Sequence, residues 1–504
     1  MLREFLWAVV ALLAAAPARA EWREVRTDHF LLTINDTEEG AREFATRLER
    51  FDSAMRRLYS VPDSTDRHLN PLRIYALEGP LFYRVCGCPG AAGVYRPQVA
   101  GSYIYSLHMP GIDRKTKTGW WSSQTVLLHE YSHHFAYSSF PMAYPYWFSE
   151  GFAEFNAQAS FETDGSIIIG YPANYRAEGL KSGNHLSPKQ LFEPERYSTE
   201  DFDLLYGRGW LLTHYLMLHP GRRPQLVAYL TALNSGKRSL EAAEAAFGDL
   251  KQLNLILDAY QRGKLAPPLR IAPAPEAPKM TMRSLPPGEA AMLPYHLLAT
   301  TGINKEYRYQ IALEATKTAR RYPDDPIAQE RLAEIELAAD RMDDAQRAID
   351  AALAGKPDLM EGLLYKGLIV LRAASEGKTP DAKGWLAARP WFVKANRADP
   401  SAAMPLYLYY ESFVGAKAAP PAAAVNALKR AEVLAPEATE VRMALARQML
   451  LDGDAQSARV LLQPVAFTPH SKDNAARRIL DLIDAGKIAE AKAAFDKPDA
   501  RKDD

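Results

Sequence analysis

His129 and His133, in the run His129-Glu130-Tyr131-Ser132-His133, are the residues of this 504-residue chain whose types and spacing best suit chemistry. On a helix, four residues advance slightly more than one turn, so the two imidazoles stand on one face and can grip one divalent cation. Zinc takes nitrogen, oxygen or sulfur donors in a tetrahedral array, with three protein groups and an open fourth position where it is catalytic. Glu150, in Trp147-Phe148-Ser149-Glu150-Gly151-Phe152-Ala153-Glu154, completes such a set. Glu130 falls roughly 100° round the helix from His129, off the ligand face but within reach of a water at the cation. It is the natural general base.

The elements that must hold these groups are legible around them. Thr125-Val126-Leu127-Leu128 is an apolar helical face, neither Pro nor Gly interrupts the run to Ser139, and Pro141 and Pro145 then break it. A second short helix beginning near Tyr146 carries Glu150 and Glu154 four apart on one side. That suits a ligand in Glu150 and, in Glu154, a carboxylate that takes the outer N–H of a ligand histidine and fixes its tautomer. Two alternatives stand beside this reading. Glu154 rivals Glu150 for the ligand position, and the pair of helices could be solvated surfaces bearing ordinary His and Glu.

With these residues and with Tyr206-Gly207-Arg208-Gly209 further on, the chain resembles the gluzincin metallopeptidases. It is most similar to the peptidase MA-like domains related to the catalytic domain of aminopeptidase N. The resemblance implies one zinc ion held by His129, His133 and Glu150, water activated by Glu130, and an oxyanion stabilised by Tyr206, which opens the Tyr-x-Arg-Gly element. Such a phenol meets the negative charge that peptide hydrolysis builds on the carbonyl oxygen. The same tyrosine also reads as a packed residue on an apolar helix from Leu204 to Leu218, and His214 is a fallback proton donor with a structural alternative. The sequence departs from the aminopeptidase pattern twice: the His133 to Glu150 interval is shorter, and no Gly-x-Met-Glu-Asn element precedes the zinc helix. An endopeptidase is therefore expected rather than an exopeptidase. Repeat-bearing gluzincins of another family place their third ligand in a Glu-x-x-x-Asp setting, which this chain lacks at Glu150.

Ahead of the zinc helix the pattern is that of a small sheet. Phe30 to Ile34 and Leu72 to Leu77 read as strands separated by a helix from about Glu38 to Leu58. Val94 to Arg96 and Gly101 to Tyr105 read as hairpin or edge strands, and such an edge either binds an extended peptide or is simply a sheet margin. Cys86 and Cys88 are the only cysteines; a turn with free or bridged thiols is expected, since two thiols alone cannot fill a zinc shell.

The rest of the chain sets the context. Arg3, the apolar run Phe5 to Ala16, and Ala18-Arg19-Ala20 before Glu21 have the form of a secretory signal, so a secreted or periplasmic protein is expected, without stable membrane insertion of the mature chain. Formal net charge is zero, so nucleic-acid binding has no support. Between Leu265 and Pro287 the composition turns to Pro and Ala, which reads as a semi-rigid linker. Beyond it Pro323, Pro357, Pro400, Pro436 and Pro469 recur at intervals of 34, 43, 36 and 33, close to the period of a tetratricopeptide repeat. In the best copy, Leu332, Ala333, Ala345, Ile349, Ala352 and Pro357 fall where that repeat packs and stops; Gly377 to Trp385 reads as an insertion.

The expected architecture is an α+β zincin-like N-terminal domain followed by an all-α tetratricopeptide-like solenoid. Its divisions are a signal at 1–20, a peptidase MA-like domain at 21–264, a linker at 265–290 and helical repeats at 291–497. The repeats either hold a peptide, protein substrate or partner on a concave face or merely bury one flank of the first domain. The alternative to a zinc peptidase is a non-catalytic envelope binding or assembly factor built on a peptidase-like domain.

Overall fold

The computed structural model describes residues 20–64, 68–88, 91–109, 121–176, 180, 186–193, 202–274, 276–302, 304, 306–375, 379–467 and 474–496. Most of the expected export signal, with Pro275, Gly377 and Pro469, lies outside them.

Alternation along the N-terminal strands builds a two-faced sheet. β1 (Glu21–Thr27), β2 (Phe30–Asp36), β3 (Leu72–Leu77), β4 (Gly93–Arg96), β5 (Tyr103–Leu107) and β9 (Met280–Ser284) take the order β4-β5-β3-β2-β1-β9. β2, β3 and β5 are parallel, with α1 (Glu38–Tyr59) making the crossover from β2 to β3, as the sequence suggests. Successive side chains point to opposite faces. Leu72, Ile74 and Ile104 therefore enter one core with α1, while Tyr75, Leu77, Tyr103 and Tyr105 enter another.

α2 (Gly79–Cys86) lies on the second face and ends at Gly87, whose φ of +60° lets the chain turn towards the bridged Cys86 and Cys88. The first face is covered by α3 (Ser123–Ser139), behind which stands α4 (Tyr146–Ala157). A small sheet follows, with β6 (Ala159–Phe161) and β7 (Ile167–Ile169) joined by β8 (Leu269–Ile271). Among the described residues this part also holds α5 (Pro188–Phe192), α6 (Phe202–Leu218), α7 (Arg223–Asn234), α8 (Ser239–Phe247) and α9 (Leu250–Arg262).

The stretch 265–290 is not a free linker. β8 pairs with β7 and β9 pairs with β1, so this segment belongs to both sheets. Its described prolines, among them Pro267, Pro268, Pro273, Pro278 and Pro286, stand before, between and after the two strands, where no ladder N–H is needed.

From Pro287 on the chain is helical hairpins: α10 (Pro287–Thr301) with α11 (Arg308–Ala319), α12 (Pro326–Ala338) with α13 (Met342–Gly355), and α14 (Met360–Ala374) with α15 (Ala382–Ala398). The series continues with α16 (Ala403–Val414) and α17 (Ala422–Leu434), α18 (Thr439–Leu451) and α19 (Ala455–Ala466), then α20 (Ala475–Asp484) and α21 (Ile488–Ala494). Pro323, Pro357, Pro400 and Pro436 each fall in the turn between one hairpin and the next, which explains their recurrence. Ala333, Ala345, Ile349 and Ala352 are fully buried together between α12 and α13. Trp385 lies inside α15, so the expected insertion is shorter than the sequence suggests.

The hairpins do not stand apart. Leu293, Leu297, Ala312, Ala315 and Ile335 share the core of the second sheet face. Further on, Val99 beside β4 packs with Leu406 and Tyr410, Glu440 accepts from the Val99 N–H at 3.2 Å, and Ser102 donates to Glu437 at 2.6 Å. Gln463 on α19 then donates to the Asn234 carbonyl at 2.5 Å. The repeats bury one flank of the sheet and reach round to the end of α7.

Candidate metal centre

α3 is set by its ends. The Ser122 side chain accepts the Thr125 N–H at 3.0 Å as N-cap, and Phe140 stops the helix ahead of Pro141. Tyr131 and Phe135 anchor it in the first core, so His129 and His133 face the other way, towards α4. α4 is buried on all sides from Trp147 to Ala157, as befits a helix with apolar residues right round it. Two of those buried residues are carboxylates, Glu150 and Glu154, each with a side chain only 1 % exposed. A buried charge is retained only where it is paired and hydrogen-bonded.

The partners of Glu150 are the two imidazoles. His129 Nε2 lies 3.1 Å from His133 Nε2, and Glu150 Oε2 lies 3.4 Å from the first and 3.6 Å from the second. Donors bonded to one tetrahedral ion at ~2.0–2.1 Å stand about 3.3 Å from one another. The three atoms thus have the separations of three corners of such a tetrahedron. Zinc fits this donor set.

Their outer atoms are engaged too. Glu154 Oε1 is 3.6 Å from His129 Nδ1, while the Ser149 hydroxyl is 3.4 Å from His133 Nδ1 and 3.0 Å from Tyr137 OH. Glu154 therefore sits behind His129 and Glu150 in front of both histidines. Glu154 is itself held by Arg176 Nε at 2.9 Å and by a hydrogen bond from Tyr175 OH. Arg176 and Tyr175 belong to a single 3-10 turn, Asn174–Arg176. Sequence reading missed Ser149, Tyr175 and Arg176; a polar residue beside a motif glutamate was a signal for the first, and nothing local marked the others.

Glu130 points towards the sheet margin. Its Oε2 accepts the Tyr95 N–H of β4 at 2.9 Å, and β4 is an edge strand of the large sheet. Tyr206, on α6, stacks its ring on that of His129 with centroids 6.1 Å apart and planes 18° apart. The Arg176 guanidinium covers the Tyr206 ring at 4.5 Å. Tyr206 also packs against the first core, so its place beside the histidines and its packing are compatible.

Arg208 of the same element is fully buried and donates to Asn254 and Asp258, each at 2.8 Å; it ties α6 to α9. His214 is likewise buried, donating from Nε2 to the Gly170 carbonyl at 3.1 Å while Nδ1 accepts Tyr260 OH at 2.9 Å. Both ring nitrogens are committed there, so His214 is a structural residue rather than a proton donor for the histidine pair.

The charges of the site shift one another. Burial alone would push the His129 imidazole down, but its hydrogen bond to Glu150 and the charges of Glu154, Glu130 and Glu150 carry it up to about 9. Burial would push the Glu150 carboxyl up; the His133 charge and the bonds to His129 and His133 hold it well below the usual carboxylate range. Burial, with the Glu150 charge beside it, raises the Tyr206 phenol well above its ordinary value, so it keeps its proton. Three carboxylates face one guanidinium here, leaving two negative charges when both imidazoles are neutral.

No family model matches the chain, and no curated protein matches it. Among solved structures it is similar to PilF of Pseudomonas aeruginosa, at 16 % identity and a TM-score of 0.32 over 41 % of this chain and 90 % of that one. It is also similar to yeast Tom70, at 12 % identity and a TM-score of 0.32 over 68 % of this chain and 64 % of that one. Neither likeness is close enough to transfer a ligand or an activity.

Proposed function

We propose that the chain is an exported zinc-dependent peptidase, with the helical hairpins as a module for substrate or partner protein. The observation that carries this is the trio of donors on His129, His133 and Glu150, separated by 3.1, 3.4 and 3.6 Å, with Glu130 on the same helix. When bound, zinc supplies Lewis acidity, which polarises a carbonyl and brings the pKa of water towards neutrality.

The chain's own groups do the rest. Glu130, its Oε2 steadied by the Tyr95 N–H, takes the proton of the attacking water and passes it to the leaving amine. Tyr206, kept protonated by burial, donates to the carbonyl oxygen as charge develops there. Glu154 and Ser149 orient the two histidines from behind. β4, at an edge of the sheet, offers an extended peptide its backbone groups other than the Tyr95 N–H that Glu130 holds, a mode of binding that reads little sequence and suits an endopeptidase.

The test is Glu130→Gln, assayed on an unstructured protein such as casein. Zinc content is expected to stay at the wild-type level while cleavage falls by about 10²-fold or more. Unchanged cleavage, or no zinc bound by the wild type, overturns the reading.

A second reading, a binding or assembly factor without turnover, draws on the extent of the hairpins, which continue from Pro287 and reach the turn between β4 and β5 at Val99 and Ser102. It is favoured if wild type and Glu130→Gln carry zinc and neither cleaves.

A further inference from the structure

A second group of metal-ligating side chains lies on the Tyr131 side of α3, apart from His129 and its neighbours. His29 Nε2 is 3.1 Å from Asp63 Oδ1, and His68 Nε2 is 3.0 Å from the same oxygen. The three donors lie within 4.8 Å of one another. The two imidazoles meet edge to face, with centroids 4.9 Å apart and planes 87° apart; His129 and His133 meet at 4.8 Å and 80°. The two ring pairs thus meet at similar separations and angles, although one comes from neighbouring turns of a helix and the other from the residue before β2 and the segment between α1 and β3.

The surroundings follow the same logic. His29 Nδ1 is 2.8 Å from Glu49 Oε2, and Glu49 Oε1 also accepts the His29 backbone N–H at 3.0 Å. A carboxylate fixed on the outer nitrogen commits that nitrogen to carry the proton and leaves Nε2 as the donor atom. Asp52 adds a further negative charge, 3.5 Å from His29 Nδ1. The opposing charge is Arg56, which donates to Asp52 at 2.6 Å and stands 3.8 Å from Asp63 Oδ1. Among the described residues that these contacts join, Glu49, Asp52 and Asp63 against Arg56 leave two negative charges when both imidazoles are neutral. Asp63 and His68 are partly exposed, with side chains 52 % and 32 % accessible, so an ion has a path in.

We propose that His29, Asp63 and His68 form a second divalent metal site, of two imidazoles and one carboxylate, selective for transition cations such as zinc. Imidazole donors favour such cations over calcium and magnesium, which prefer all-oxygen shells. The site joins the start of β2 to the segment between α1 and β3. It also touches the helix of the first site, because Tyr131, between His129 and His133, donates its hydroxyl to Asp52. A cation here braces α3 from behind. The inference does not depend on peptidase activity.

The test uses the full chain, stripped with chelator and dialysed against zinc alone or cobalt alone, with metal counted per chain. Two equivalents are expected for the wild type. His68→Ala and the near-isosteric Asp63→Asn should each keep one, the cobalt spectrum of the retained site being unaltered. A His129→Ala/His133→Ala double variant should also keep one, and that remaining equivalent should raise its Tm and persist in millimolar calcium and magnesium. A single equivalent lost only in the His129/His133 double variant overturns the second site and leaves the first. A single equivalent lost only in His68→Ala and Asp63→Asn supports the second site and overturns the first. Two equivalents that survive both of those variants place the extra ion elsewhere and overturn the proposal, and no bound metal overturns both sites.

Discussion

Gly151 and Gly209 meet where α4 crosses α6: a Cβ on Gly151 would stand 2.5 Å from the Gly209 carbonyl oxygen. The reverse is equally tight, since a Cβ on Gly209 would lie 2.6 Å from the Trp147 carbonyl oxygen. Each glycine belongs to one of the two elements that follow the histidine pair, Glu150-Gly151 and Arg208-Gly209. Without side chains at the crossing the two backbones approach closely enough for Glu150 to reach both imidazoles and for Tyr206 to stack on His129. The glycines are therefore as much a part of the site as the carboxylate and the phenol beside them.

Gly151→Ala should accordingly separate α4 from α6. Alanine gains up to about 1 kcal/mol of helix propensity over glycine, but overpacking of this kind costs ~1–3 kcal/mol, and here the atoms met are the buried Thr213 hydroxyl and the Gly209 backbone. A lower urea midpoint together with less zinc retained per chain is expected. A variant with the wild-type midpoint and full zinc would show that the crossing gives way without moving Glu150.

Glu154→Gln tests the support behind His129. The amide keeps the volume but withdraws the charge that faces His129 Nδ1 at 3.6 Å and Arg176 at 2.8 Å. Loss of such an outer carboxylate weakens metal binding by about 10–100-fold. Competition with a chromophoric chelator measures it, and an unchanged zinc affinity would make Glu154 a partner of Arg176 alone.

How far the site was readable depends on how local each residue's reason is. His129, His133, Glu150 and Glu154 follow from spacings of four on two helices separated by Pro141 and Pro145, and those helices stand where the pattern put them. Arg176 carries no such mark: it meets Glu154 across 22 residues of chain, through a 3-10 turn with no periodicity of its own. β9 was hidden for a related reason. Met280 to Ser284 is short, sits among prolines, and becomes a strand only by pairing with β1 some 260 residues earlier. The proline period exposed the hairpins because each turn needs a helix stop, but it could not show that α10 to α12 cover the second face of the sheet. That contact depends on side chains such as Tyr103 and Tyr105, whose partners in α10 are far along the chain.

Tyr206→Phe separates chemistry from packing. The ring still stacks on His129 and beneath Arg176, so folding and zinc content should not change. Removing a donor to a developing oxyanion typically lowers kcat by about 10²–10³-fold, with KM expected within about twofold. An unaltered kcat would leave Tyr206 as a packed tyrosine beside the histidines.

His214 gives a pH prediction far from the donor atoms. Burial lowers its pKa from 6.5 to about 4, only partly opposed by the bond to the Gly170 carbonyl. Between those two values the unfolded chain binds a proton that the folded chain does not, so stability falls as pH drops from about 6.5 and levels off below about 4. At 1.36 kcal/mol per pKa unit the full effect is about 3 kcal/mol. His214→Gln retains a donor for Gly170 and removes the titration. Urea unfolding at pH 7 and pH 4 should therefore show the variant losing about 3 kcal/mol less than the wild type over that interval. Equal losses would mean that His214 is protonated in the folded chain, with Tyr260 OH reversing its hydrogen bond to receive that proton's share.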